Sequence, residues 1–203
     1  MVSCSAGPSG FDGLESLSRW LGDIVLIVGI RAFQDKGKTA LAVGTILELC
    51  AKHGYSYDEV VANLHLKFPA EPGPHSLTNP EMRLFIRSMV TKGLRHKVVL
   101  MDEADRLFPA RFWQQKEQTD ALIGLWQDYK LFNYIIYTAH EGTSVDIVLR
   151  QVTQIELVPE YDAYGDCINF DIFNSMDGLV DDDCLANVSK NIFPYYDRWE
   201  VIS

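Results

Sequence analysis

No stretch of the sequence is apolar for long enough to cross a bilayer. The longest such run, residues 24–30, falls far short of the roughly 20 residues that a spanning helix needs. Residues 1–13 show no basic start followed by an apolar segment, so nothing there reads as a secretory signal. Cysteine is scarce. Cys4, Cys50, Cys167 and Cys184 stand too far apart for a CxxC metal pattern, and free, mostly buried thiols in a reducing compartment are expected. Positive charge is in deficit: 18 Lys and Arg against 28 Asp and Glu leave a net charge of −10. That balance argues against a general electrostatic grip on nucleic acid and leaves room only for a local basic surface, such as the pore of a ring. No internal repeat or low-complexity tract interrupts the chain. These absences together imply a soluble intracellular protein with no stable membrane insertion.

What is present is an ordinary globular composition, 47% apolar and 23% charged over 203 residues. The expected organisation is a flexible leader over residues 1–10 and a single domain over 11–203. Continuous apolar, β-branched runs at 23–29, 97–102 and 134–138 predict strands buried on both faces, as in a parallel sheet. The alternation over 60–68 predicts a further strand, as do 154–158 and 167–173. Helical spacing predicts helices over 11–21, 38–52, 79–92 and 114–129, with Gly54 ending the second and Pro80 opening the third. Residues 69–80 read as a proline-rich loop, 177–183 as an acidic loop and 185–203 as a mixed tail. Strands alternating with helices give an α/β class: a mainly parallel sheet flanked by helices on both faces. Ligands of such sheets sit beyond the carboxyl ends of the strands.

The chemistry gathers at those ends. After the first buried strand, Ala32, Phe33, Gln34, Asp35, Lys36, Gly37, Lys38 and Thr39 fit the P-loop pattern, with Ala32 in place of the first glycine. Such a loop wraps a polyphosphate with backbone N–H groups. Gly37 permits close approach, Lys38 reaches the β- and γ-phosphates, Thr39 offers a hydroxyl to Mg²⁺, and the helix continuing through Ala40 points its positive end at the anion. Asp35 suits a left-handed position, and Lys36 is expected to offset its charge. The run Val98-Val99-Leu100-Met101-Asp102-Glu103 supplies the other half. Its Asp supports Mg²⁺ and its Glu activates a water as general base, which points to ATP hydrolysis. At the third strand end, Thr138 is the first candidate to contact the γ-phosphate or the lytic water, and His140 the second. Arginines that could complete a neighbouring subunit's site are Arg150, preferred for its place after the third strand, then Arg87, Arg106 and Arg111. Tyr195 and Tyr196 are candidates to stack on adenine, against the plainer reading of packing anchors. The densest basic stretch, residues 91–97, could face DNA phosphates in a ring or simply decorate a helix end.

In these segments the sequence resembles the FtsK/HerA superfamily of ring-forming DNA-pumping ATPases. The resemblance rests on the phosphate loop, on residues 98–103, and on Thr138 through Ser144, Val145, Asp146 and Ile147, which are similar to the Thr-Gln-Arg-Pro-Ser-Val-Asp segment of that family. The ending Tyr195-Tyr196-Asp197-Arg198-Trp199-Glu200 is similar to the tails of small viral members. Coverage runs from about residue 23 to the C-terminus. The short chain looks like the genome-packaging ATPases of icosahedral viruses with an internal membrane. The resemblance implies a RecA-like P-loop NTPase fold, ATP and Mg²⁺ as cofactors, self-association into a ring, double-stranded DNA bound without sequence preference, a capsid vertex or portal as partner, and work in the host cytoplasm. An alternative from a different class is a nucleotide-switched assembly protein that does not move DNA. A small-molecule kinase fits less well, because Glu103 beside Asp102 points to water as acceptor.

Overall fold

The computed structural model describes residues 17, 19, 26–69, 72–92, 96–108, 132–140, 147–175 and 177–197. The predicted helix over 114–129, the leader, Arg95, Arg111, Arg198 and residues 144–146 lie outside the described residues. Of the predicted helix over 11–21, Leu17 and Arg19 are described, both helical, and Leu17 is buried.

The elements follow in the order β1 (Leu26–Ala32), α1 (Lys38–His53), β2 (Val60–Ala62), β3 (His75–Ser76), α2 (Asn79–Lys92), β4 (His96–Met101), α3 (Ala104–Leu107), β5 (Phe132–His140), α4 (Ile147–Val152), β6 (Ile155–Asp162), β7 (Cys167–Asn174), β8 (Gly178–Ala186) and α5 (Val188–Asn191). One sheet joins all eight strands in the order β3-β2-β4-β5-β1-β6-β7-β8. The pairs from β3 to β6 are parallel, and β6-β7 and β7-β8 are antiparallel. The stretch β2-β4-β5-β1-β6, with β1 inside the sheet between β5 and β6, is the arrangement of a RecA-like P-loop NTPase. Its phosphate loop then opens onto the middle of the sheet's carboxyl edge.

Both faces of the central strands are buried, which is why they read as unbroken apolar runs. Val28, Ile30, Val98, Leu100, Tyr134 and Ile136 form one core with α1. Ile27, Val99, Met101, Ile135, Tyr137 and Ala139 form the other, packed with Met82 and Ile86 of α2, Ala104 and Leu107 of α3, and Leu149 of α4. Helices therefore lie on both faces, as predicted. The ends of α1 follow local rules: Gly37 and Gly54 cap it at φ 87° and 65°, and the Gly54 N–H bonds the Cys50 carbonyl. A capping box at Thr78 and Glu81 starts α2, where the Thr78 N–H donates to Glu81 Oε2 at 2.8 Å.

Several expectations are corrected. The strand predicted over 60–68 ends at Ala62, because beyond it the Asn63 side chain, in place of further backbone, bonds the chain that leaves β4. The alternation beyond Ala62 is nevertheless real burial: Leu64, Leu66 and Phe68 all enter the core, and Leu66 bridges to Tyr196. The predicted proline-rich loop contains the short edge strand β3. The predicted acidic loop over 177–183 is instead most of β8, antiparallel to β7, with Asp181, Asp182 and Asp183 opposite Ile172, Asp171 and Phe170. Asp is disfavoured in strands, but an edge tolerates charge facing water. Cys50 and Cys167 are free, whereas Cys184 is disulfide-bonded, against the expectation of free thiols.

Gly29 in β1 lies opposite Tyr137 of β5. A Cβ there would meet the Tyr137 hydroxyl oxygen at 2.6 Å and its ring at 2.7 Å, and that hydroxyl is held by Thr153 Oγ1 at 2.8 Å. Gly29→Ala is expected to destabilise the protein by about 1–3 kcal/mol through overpacking. Urea unfolding checks this, and an unchanged midpoint would show that the ring moves aside at no cost.

Candidate nucleotide site

The loop between β1 and α1 has the backbone of an anion cradle. Asp35 and Gly37 take positive φ, 59° and 87°, so the left-handed placement expected of Asp35 is observed. Ala32 is the buried last residue of β1. The pattern's first glycine is dispensable there because a regular strand residue needs no glycine. Phe33 stands 64% exposed at the tip, and Gln34 and Asp35 are exposed beside it. Lys36 does not answer Asp35 as expected: its Nζ pairs with Glu160 Oε1 of β6 at 3.0 Å. Lys38 folds back over the loop and donates to the Phe33 carbonyl at 2.8 Å. Its ammonium is pushed below the usual lysine range by burial, opposed by Asp102, Asp105, Glu103 and Asp35. Ala40 is buried in the first turn of α1, so only its backbone can face a ligand.

Three strand ends converge on one carboxylate. Thr39 Oγ1, in the first turn of α1 after β1, donates to Asp102 Oδ1 at 3.0 Å. Thr138 Oγ1 of β5 donates to the same oxygen at 2.6 Å and accepts the Glu103 N–H at 2.9 Å. Asp102 Oδ2 accepts no hydrogen bond among the described residues. Asp102 retains some exposed area, yet burial is the largest influence on it and pushes the carboxyl above the usual range. The two hydroxyls and Lys38 only partly oppose that effect. Glu103 follows in the left-handed region at φ 49°, a conformation costing on the order of 1 kcal/mol for such a residue. Burial raises its carboxyl as well, and its Oε2 pairs with Arg106 Nη1 at 2.7 Å.

The remaining candidates take different places: Thr138 and Arg106 join this cluster, while Arg150 and Tyr196 stand apart from it. Thr138 is 1% exposed and its single hydroxyl proton goes to Asp102, so it faces the carboxylate instead of standing open to a phosphate or water. His140 pairs with Asp105 Oδ2 at 3.2 Å. Arg106 is engaged by Glu103 of its own chain. Arg150 lies half-buried on α4, near enough to act on the Tyr137 hydroxyl, with its Nε lacking a hydrogen-bond partner among the described residues. Tyr196 is 8% exposed in the core, its ring edge-on to Phe193. Phe193 in turn meets Tyr161, whose Cβ lies near Gly37. Tyr196 is thus two rings removed from the loop and serves as a packing anchor. Sequence reading missed Asn63, whose side chain reaches Asp102. An isolated polar residue directly after the apolar run Val60-Val61-Ala62 was the available signal.

Mg²⁺ fits these residues. It is held in nucleotide sites by one or two protein oxygens plus substrate phosphates and water. Thr39 with the open Oδ2 of Asp102 supplies such a set. Among the described residues no group of three or more His, Cys, Asp or Glu could hold a metal without a nucleotide.

No family model matches the sequence, and no curated protein matches it. Among solved structures, the N-terminal domain of zonular occludens toxin from Neisseria meningitidis is similar at 14% identity, over 86% of this chain and 100% of that one, with a TM-score of 0.48. A second solved structure, an ATPase domain, is similar at 16% identity, over 80% of this chain and 81% of that one, with a TM-score of 0.47. The P-loop NTPase fold of the chain rests on its strand order and on the loop itself.

Because the folded Asp102 carboxyl is raised, the native state holds a proton that the unfolded chain has already lost. Stability therefore falls as pH rises from the ordinary carboxylate value through the raised one. Asp102→Asn keeps an acceptor for both threonines and removes the charge. It is expected to raise metal-free stability at pH 7 by roughly 0.5–2 kcal/mol, with the gain shrinking as pH is lowered through that window. Thermal melts across pH check this, and a variant less stable than wild type at pH 7 would contradict it.

Proposed function

We propose that the chain is an Mg²⁺-dependent ATPase whose turnover drives double-stranded DNA into a preformed viral capsid. The ATPase part is carried by one observation: the end of β4 presents Asp102 to Thr39 beside Lys38, with Glu103 next in the chain. Lys38 leaves the Phe33 carbonyl to bind the β- and γ-phosphates, and the loop's backbone N–H groups hold the same oxygens. When bound at Thr39 and Asp102, Mg²⁺ supplies positive charge to the phosphate oxygens. Glu103, its carboxyl raised above the usual range by burial, takes the proton of the attacking water. Thr138 fixes Asp102 and the Glu103 backbone in register. A completing arginine from a neighbouring subunit is assigned to Arg150.

The packaging part is supported by the sequence resemblance to the FtsK/HerA superfamily. Within it the same segments resemble the packaging NTPase of a Sulfolobus turreted icosahedral virus. On that reading the working form is a ring, its partners are DNA and a capsid vertex or portal, and it acts in the host cytoplasm docked at the capsid. Among the described residues no helix is long and apolar enough to cross a membrane.

Steady-state ATP hydrolysis with and without double-stranded DNA tests both parts. Lys38→Ala is expected to lose roughly 10²-fold or more, and Glu103→Gln to bind ATP but turn over about 10²–10⁴-fold more slowly. DNA is expected to stimulate the wild type and neither variant. Robust turnover by Glu103→Gln would remove the general-base assignment. Wild-type hydrolysis indifferent to DNA would count against the motor and favour a nucleotide-switched assembly protein.

A further inference from the structure

We infer that Asn63 is a positioning residue for the metal-bearing carboxylate, acting by clamping the backbone of Asp102 from both sides. The inference rests on the ATPase reading and deepens it. The ladder between β2 and β4 pairs Val60 with Val98, Val61 with Val99 and Ala62 with Leu100. Asp102 lies beyond its end, where no strand partner fixes the chain, and Glu103 turns at once into the left-handed region. The Asn63 side chain takes over where the ladder stops. Its Oδ1 accepts the Asp102 N–H at 2.6 Å, and its Nδ2 donates to the Asp102 carbonyl at 2.8 Å. One planar amide thus supplies the acceptor and the donor that a neighbouring backbone would offer.

The remaining Nδ2 proton goes to Asn79 Oδ1 at 2.8 Å, at the first residue of α2. The Asn63 N–H reaches the Leu100 carbonyl at 3.3 Å. At 5% exposure the amide is desolvated, and three of its four hydrogen-bonding positions are filled, so it holds one orientation. The backbone of Asp102 then aims its carboxylate at Thr39. Only an amide satisfies both groups at once: Asp offers no donor, and an apolar residue offers neither function.

Affinity for a fluorescent ADP, measured with Mg²⁺ and again in EDTA, tests the clamp. The ratio of the two affinities reports the coupling between metal and nucleotide without any turnover. In Asn63→Ala the EDTA affinity, which depends on Lys38 and the loop, is expected to stay within about twofold, while the ratio falls about 10–100-fold, as for other residues that orient a metal's ligands. Asn63→Asp, nearly isosteric, keeps an acceptor for the Asp102 N–H and loses both donors. It is expected to lose the ratio as well, and it decides the matter if the alanine variant does not fold. An unchanged ratio, or affinities that fall in parallel with and without Mg²⁺, would overturn the clamp. A wild-type protein that binds no nucleotide in either condition would remove the ATPase reading itself, an outcome distinct from failure of the clamp.

Discussion

A carboxylate pressed into protein must be answered by charge or by hydrogen bonds, and Asp102 is answered only in part. Two threonine hydroxyls share one of its oxygens. The other accepts no hydrogen bond among the described residues, and Lys38 is turned away to a loop carbonyl. Burial consequently dominates its proton affinity. A stability-optimised protein would place an amide or an apolar group at that point. The unbalanced charge makes sense where a cation and a polyphosphate complete the site, with part of the binding energy coming from relief of the existing strain.

The sheet makes this arrangement possible. β1, β4 and β5 are neighbours running in the same direction, so Thr39, reached through the loop after β1, Asp102, just after β4, and Thr138, near the end of β5, arrive at one edge. The antiparallel extension β6-β7-β8 closes the flank of the phosphate loop. Ile168 and Tyr161 occupy the space that a Cβ at Gly37 would need, and Glu160 draws off Lys36. Two of the non-glycine residues with positive φ, Asp35 and Glu103, sit in this same region. Both lie where the chain turns away from a strand end.

The sequence was most readable where burial is two-sided. Ile27 and Val28, or Val98 and Val99, are apolar because each neighbour faces a different core, and that doubles the signal. The phosphate loop was readable because its residue types answer directly to phosphate chemistry. Edges were harder to read. β8 carries consecutive aspartates that look like a loop, and β3 is too short to show any period. Between residues 60 and 68 the alternation reported burial and not pairing. The aromatic tail suggested a base platform at Tyr196, but that ring is buried edge-on to Phe193, on a backbone that bridges Leu66, and acts as an anchor. Thr138 was legible as a polar residue near a strand end, and it is buried there. Its partner, however, depends on the spacing between β4 and β5, which no single strand encodes. Asn63 showed only as an isolated polar residue after an apolar run, because its contacts with Asp102 exist only once β2 and β4 lie side by side.

If the chain is the Mg²⁺-dependent ATPase proposed above, the Thr39–Asp102 contact marks the metal position and Lys38 is held in reserve for phosphate. A crystal structure with Mg²⁺ and a non-hydrolysable ATP analogue tests it most directly. The expected result has the metal against the Thr39 hydroxyl and Asp102, with Lys38 moved from the Phe33 carbonyl to the phosphates. A bound nucleotide with Lys38 still on Phe33 and the Thr39–Asp102 hydrogen bond intact would contradict it.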